Sequence, residues 1–194
     1  LGTVRTSRAS AAQRQGRAGR LGPGTCLRLW SEATHRALAA HAPAEILAAD
    51  LARRMGDRYR FLFLCLDGVG PLGEKLQQEG FVVQDLQRKP GVDRRVGRRI
   101  AAAMREHGVR LIHAHQYTPF FYASISRGMF GRRPPVLFTE HGRHYPDQRK
   151  LRRVIANRFL LRRDDRVTAV GQFVRQALID NEGIAGGRVQ VISN

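Results

Sequence analysis

The sequence is poor in cysteine and in long apolar runs. Its 194 residues include two cysteines, Cys26 and Cys65, which are far apart and belong to no C-x-x-C pair. Neither a disulfide framework nor a zinc or other metal site is therefore indicated, and we expect both to be reduced, buried thiols in a cytoplasmic protein. No apolar run approaches the ~18 residues of a membrane-spanning helix. The arginine-rich N-terminus is not followed by the apolar segment of a signal peptide.

Acidic residues are also scarce. The chain has 34 lysines and arginines against 16 aspartates and glutamates, a formal net charge of +18, and only three of the basic residues are lysines. Residues 1–52 have a net charge of +4, which leaves +14 for residues 53–194. Because this charge is spread over predicted helices, a nucleic-acid partner is not favoured. Arginine-rich codon usage with a solvated basic surface is one interpretation, and peripheral contact with an anionic inner-membrane face is the other.

Apolar segments of strand length alternate with amphipathic segments from Tyr59 onward. This alternation predicts βαβ units and an α/β fold, with a Rossmann-like parallel sheet flanked by helices. Residues 1–24 are polar and aperiodic and predict an irregular appendage. The predicted strands cover 61–66, 81–83, 109–113, 136–139, 166–170 and 189–192, and the predicted helices cover 72–79, 92–104, 117–130, 151–159 and 173–179.

An arginine-glycine string occupies residues 13–20, with the sequence QRQGRAGR, and GPGTCLRLW follows it. With PAEILAADLA at 43–52, this string resembles the last conserved motif of HrpB-type DEAH-box ATP-dependent helicases. The resemblance implies that Arg17 and Arg20 are arginine fingers for a γ-phosphoryl group and that Gln13 contacts the nucleotide or its attacking water. The 194 residues contain neither a phosphate-binding G-x-x-x-x-G-K-[ST] loop nor a D-E-x-H motif, so we expect no ATPase activity.

Several motifs occur between about residue 53 and residue 194. They are FLCLD at 63–67, GPLGEKL at 70–76, IHAHQYTP at 112–119, FTEHGRHYPD at 138–147, RVTAV at 166–170 and VQVISN at 189–194. Together these motifs resemble the N-terminal domain of glycosyltransferase family 4, which has the GT-B fold. The resemblance implies transfer of a hexosyl group from a nucleotide sugar to a lipid or glycan acceptor, with retention of configuration and without a required metal or other cofactor.

The resemblance also implies the site residues. His115 ends a strand and Glu140 to Arg143 begin the loop after another, and ligands of open α/β sheets bind at the carboxyl ends of strands. By this likeness His141 is the catalytic residue, and His115, Glu140, Gly142 and Arg143 bind the acceptor. Each histidine also has a structural alternative: His113 lies inside a strand and is expected to pack, and His144 could line the loop.

Two departures from the family pattern shape the predicted organisation. Helicase-like sequence stands where the family has its first strand and glycine-rich loop, and the donor-binding domain does not follow Asn194. We therefore expect a truncated, chimeric chain, with a helicase-like fragment at 1–52 and an acceptor-binding domain at 53–194 that is inactive alone. The alternatives are a fragment of an RNA helicase and a non-catalytic domain that binds anionic lipid or glycan.

Overall fold

The computed structural model describes residues 44–127, 133–142 and 149–192, and the side chains from residue 48 onward. The chain divides into two units between Arg53 and Arg54. Helix α1, Ala44–Met55, runs across this division. The second unit contains the remaining described elements: β1 Leu62–Cys65, α2 Pro71–Gln78, β2 Val82–Asp85, α3 Arg94–Glu106, β3 Ile112–His115, α4 Tyr117–Arg127, β4 Val136–Glu140, α5 Leu151–Leu160, β5 Arg166–Ala169, α6 Gln172–Glu182, a 3₁₀ turn Gly186–Arg188 and β6 Val189–Val191.

The described strands form two parallel sheets. The first has two strands in the order β1-β2, and the second has four in the order β3-β4-β5-β6. Each parallel connection includes a helix, because a parallel pair cannot be joined by a tight turn. This is the α/β architecture with helix-flanked parallel sheets that the sequence predicts.

One apolar core lies between the four-stranded sheet and its helices. Ala114, Phe138 and Val167 extend from one face of the sheet and pack with Phe120 of α4 and Leu178 of α6. The rings of Phe120 and Phe138 are stacked with their centroids 4.6 Å apart. A second apolar cluster packs α3 and α4 against Leu64, Leu66 and Leu86 of the two-stranded region. These two helices therefore take part in the packing of both sheets.

Helix α3 shows how local sequence fixes an element. Its N-cap Asp93 accepts a hydrogen bond from the Arg95 amide at 2.9 Å, which satisfies one of the free N–H groups of the first turn. The Asp93 amide in turn donates to the Tyr122 hydroxyl at 2.9 Å, which joins the start of α3 to α4. Gly108, with φ +59°, follows the end of the helix in the left-handed conformation that glycine tolerates.

The elements predicted from Tyr59 onward occur among the described residues, with shifted ends. A short strand predicted at 25–30 and a helix start predicted at 31–38 lie outside the described residues. The largest shift is in β3, which the apolar pattern predicts at 109–113 and which spans Ile112–His115. The pattern misplaced it because the polar histidines belong to the strand and the apolar Leu111 precedes it. Residues 128–130 of the predicted fourth helix and Cys26 lie outside the described residues. Cys65 ends β1 and is only partly buried, whereas we expected a buried thiol.

A buried ion pair joins α4 to the start of β5. Arg127 and Asp165 are both fully buried, and their two parallel hydrogen bonds measure 2.5 and 2.6 Å. Asp165 also accepts from the backbone amides of Val136 and Arg162, at 2.9 and 2.8 Å. These donors hold the pKa of the Asp165 carboxyl below its usual value although burial acts in the opposite direction. No helix in the described part of the chain has the length and apolar character needed to cross a membrane.

Candidate active site

The candidate site lies at the carboxyl ends of β3 and β4. Residues two apart in a strand share a face, so His113 and His115 both lie on the face of the sheet opposite the apolar core. The register places His115 beside Thr139 of β4. The sheet therefore has one apolar face and one face with imidazole and hydroxyl groups.

His115 and His141 are in direct contact. His115 Nδ1 lies 2.9 Å from His141 Nε2, and the ring centroids are 5.1 Å apart with the planes at 20°. A hydrogen bond between two neutral imidazoles needs one donor and one acceptor nitrogen. The contact therefore fixes the proton positions of the two rings relative to each other.

His113 packs against the His115 member of this pair. Its ring lies 4.0 Å from the His115 ring, centroid to centroid, and its Nε2 is 2.8 Å from Thr139 Oγ1. Thr139 Oγ1 is also 2.7 Å from Thr168 Oγ1 of β5. The expectation that His113 is a packed, hydrogen-bonded strand histidine agrees with these contacts. A chain of polar groups across three strands thus orients the His113 ring, against which the His115 ring packs.

The three histidines are held in the neutral form. Burial, followed by the nearby His141, lowers the pKa of His113 to about 4. Burial, followed by His113 and then His141, lowers the pKa of His115 to about 3. Burial also lowers the pKa of His141. At neutral pH each imidazole can donate one hydrogen bond and accept one, which suits binding of hydroxyl groups and allows proton exchange with them.

Two unusual backbone conformations define the rim of the site. Gln116 follows β3 with φ +72°, a left-handed conformation that costs free energy for a residue other than glycine. Its amide donates to the Thr139 carbonyl at 2.8 Å, which ties the turn to β4. Gly142 follows His141 with φ +117°, which side chains rarely adopt. Sequence patterns indicated Gly142, but nothing in them distinguished Gln116.

Comparison with known proteins identifies the family. The sequence model of the family described as Glycosyltransferase Family 4 matches residues 44–194. The chain belongs to glycosyltransferase family 4. No curated protein matches the chain.

A solved structure shares the fold of this family 4 chain. It is the crystal structure of a glycosyltransferase from Rickettsia africae ESF-5, with a TM-score of 0.61 and 19% sequence identity. The aligned region covers 77% of this chain and 38% of the Rickettsia chain, so the chain spans well under half the length of that protein. At this identity the match establishes the fold alone, and the helix-flanked parallel sheets correspond to one Rossmann-like half of a GT-B fold.

The structure brings some of the predicted site residues of the family 4 domain together. His115, His141 and Gly142 lie at one edge of the sheet, whereas Glu140 is 2% exposed and extends toward the apolar-core face with Phe138. The acceptor-binding role of Glu140 stays a prediction. Arg143 and His144 lie outside the described residues, as do the helicase-like residues Gln13, Arg17 and Arg20. Within the described ranges, no group of three histidine, cysteine or acidic side chains is arranged to hold a metal ion.

Proposed function

We propose that this family 4 domain binds the acceptor in a glycosyltransferase that moves a hexosyl group from a nucleotide sugar to a lipid or glycan. The observation that carries the proposal is the hydrogen-bonded pair His115–His141 at the carboxyl ends of β3 and β4. Ligands of open α/β sheets bind at this edge. We place the acceptor against His115, Gly142 and Arg143, and the reacting sugar beside His141.

The histidine pair suggests how His141 would act. If His115 Nδ1 carries the proton and donates it to His141 Nε2, the proton of His141 resides on Nδ1 and can be donated to a sugar hydroxyl. In the reverse tautomer, His141 Nδ1 is an acceptor for such a hydroxyl. In either case His115 is a positioning residue, because it sets which His141 nitrogen carries the proton.

Transfer would also require a second domain that holds the nucleotide sugar against the acceptor, because reacting groups must be positioned together. The described residues include one Rossmann-like domain. We expect residues 1–194 alone to show no turnover with any nucleotide sugar. Turnover by the purified 194-residue chain would contradict this part of the proposal.

A hybrid enzyme tests the assignment of His141. Residues 53–194, preceded by the first strand and glycine-rich loop of a family 4 relative, would be joined to that relative's donor-binding domain and assayed for sugar transfer. His141→Ala should lower kcat by about a hundredfold or more, as loss of an acid-base or electrostatic group commonly does. His107→Ala is the matched control, because His107 lies beyond the end of α3 and bonds Gln84 at 3.3 Å.

Two outcomes would contradict the assignment. One is unchanged kcat in the folded His141→Ala hybrid. The other is complete loss of activity in a folded His113→Ala hybrid while His141→Ala remains active, because His113 is expected to affect stability before chemistry.

The helicase resemblance of residues 1–52 stays a prediction from sequence. The comparisons give it no support, and the family match begins at residue 44, within the stretch that also resembles the helicase. A chimeric origin and an RNA helicase fragment would both gain support from RNA-stimulated ATP hydrolysis that Arg20→Ala abolishes. We expect no such hydrolysis.

A further inference from the structure

Helix α5 has a large apolar stripe on its solvent side. Leu151, Ile155 and Phe159 are 67%, 51% and 79% exposed. They recur every four residues, and at ~100° per residue they lie within a strip about 80° wide. Isolated exposed apolar residues are common on protein surfaces, but a continuous helical stripe of this size indicates an interaction surface.

The opposite face of α5 already anchors the helix in the fold. Asn157 is 2% exposed, and its amide donates to the Glu182 carbonyl and carboxylate at 3.0 and 2.9 Å. The Tyr117 hydroxyl donates to Asn157 Oδ1 at 3.1 Å, and Leu160 packs against the main core. The inner side of the helix, with Asn157 at its centre, is therefore used for folding, and the outer apolar stripe is not.

The segment that contains the stripe is strongly basic. Residues 149–163 contain seven basic residues and no acidic residue. Exposed Arg152 and Arg158 flank the stripe on its two sides, from the same ~100° spacing. Lys150, Arg152 and Arg153 also stand at the start of α5, where the helix dipole disfavours positive charge. The Glu182 carboxylate, 3.0 Å from Arg153, offsets part of this unfavourable charge, and an anionic partner beside Lys150 and Arg152 would offset more of it.

An anionic membrane surface fits both features. Arginines alone would fit any polyanion, including nucleic acid, but phosphate contacts make no use of leucine, isoleucine and phenylalanine side chains. An anionic lipid bilayer has charged headgroups next to its acyl chains. Interfacial amphipathic helices bind at this boundary, with the apolar face toward the acyl chains and the basic face toward the headgroups. A second protein would need an acidic rim around an apolar groove.

We propose that α5 docks the chain onto an anionic membrane surface. Leu151, Ile155 and Phe159 enter the boundary between headgroups and acyl chains, and the flanking arginines bind lipid phosphates. This inference goes beyond the proposed function and does not require sugar transfer, so it can fail or hold independently of the enzymatic proposal.

Vesicle binding by the whole 194-residue chain tests the apolar stripe. Phosphatidylcholine vesicles with and without phosphatidylglycerol would be mixed with the protein, and the bound fraction measured by flotation. Phe159→Ser should weaken binding to the anionic vesicles by about tenfold or more, given the transfer free energy of an aromatic side chain. Phe173→Ser is the matched control, because Phe173 on α6 is also 79% exposed, and it should bind as the unmodified chain does.

A second set of variants tests the contribution of the arginines to vesicle binding. The double variant Arg152→Gln/Arg158→Gln should weaken binding by about tenfold or more at low salt, since each basic residue near an anionic surface contributes about 1 kcal/mol, a factor of about five. Arg94→Gln/Arg98→Gln removes the same charge from the exposed side of α3 and should change binding by less than about threefold. Phe159→Trp should show a vesicle-induced blue shift of its fluorescence, and Phe173→Trp should not.

Three results would overturn the proposal. Equal binding to neutral and anionic vesicles would remove the role of the arginines. Equal losses in the α5 variants and their controls would show that binding comes from the overall charge of the chain. A lipid-independent dimer that Phe159→Ser dissociates, without vesicle binding, would assign the stripe to a second copy of the chain.

Discussion

Helices α3 and α5 are both rich in arginine and differ in where they place their apolar residues. In α3, Val96, Ile100 and Met104 are buried, and the arginines lie on the solvent side. In α5, the residues with the same four-residue spacing are exposed among the arginines, and Asn157 is at the centre of the buried side. Exposed arginines occur on both helices and therefore do not distinguish them. Only α5 also exposes large apolar side chains, and this combination of charge and apolar surface indicates a functional surface.

Replacement of the buried Arg127 should have the largest effect on the free energy of unfolding, and it compares an interior arginine with a surface one. Arg127→Met leaves the Asp165 carboxylate buried without its charged partner, which should lower the free energy of unfolding by about 3–5 kcal/mol. Arg158→Met on the solvent side of α5 should change it by less than ~0.5 kcal/mol. Urea denaturation followed by circular dichroism measures both, and comparable losses in the two variants would break the distinction between interior and surface arginines.

The two isoleucines provide a matched pair. Ile100 of α3 is 6% exposed and Ile155 of α5 is 51% exposed. Ile100→Ala should lower the free energy of unfolding by about 2–5 kcal/mol, because it leaves a cavity in the packed interior. Ile155→Ala should have an effect of about 0.5 kcal/mol or less on stability while weakening vesicle binding. If thermal and urea unfolding show Ile155→Ala to be as damaging as Ile100→Ala, the outer face of α5 is part of the core.

Stability and vesicle binding should depend on pH in different ways, because the histidine site titrates and the arginine surface does not. The unfolded chain binds protons at histidines below about pH 6.5, whereas His113 and His115 in the folded state resist protonation until about pH 4 and about pH 3. Their contribution to stability is therefore complete above about pH 7 and is lost as the pH falls through this window. The arginines keep their charge, so vesicle binding by the folded chain should not weaken.

The double variant His113→Gln/His115→Gln is the control for this window. It should flatten the decline of the free energy of unfolding between pH 6.5 and pH 4, measured by urea denaturation at each pH. An unchanged slope would mean that other groups carry the acid sensitivity.

Sequence patterns predicted the elements well and the site in part. A continuous apolar run located Leu62–Cys65, although its side chains are only partly buried. A 3.6-residue apolar period located Arg94–Glu106, because this helix buries one regular apolar face. The pattern failed at β3, where two of the four residues are histidines on the polar face. The nearness of His115 to His141 followed from the rule that parallel strands end at one edge. Their direct hydrogen bond and the left-handed Gln116 did not, because both depend on tertiary geometry.

The division of the strands into a pair and a quartet has a consequence for local opening. β4 and β5 each have a hydrogen-bonded strand on both sides, and a two-stranded sheet such as β1-β2 is marginal by itself. The pair depends on α3 and α4 for its attachment through Leu64, Leu66 and Leu86. The backbone amides of β4 and β5 should therefore exchange with deuterium only in global unfolding, whereas β1 and β2 exchange through a smaller, independent opening that leaves the histidine pair intact.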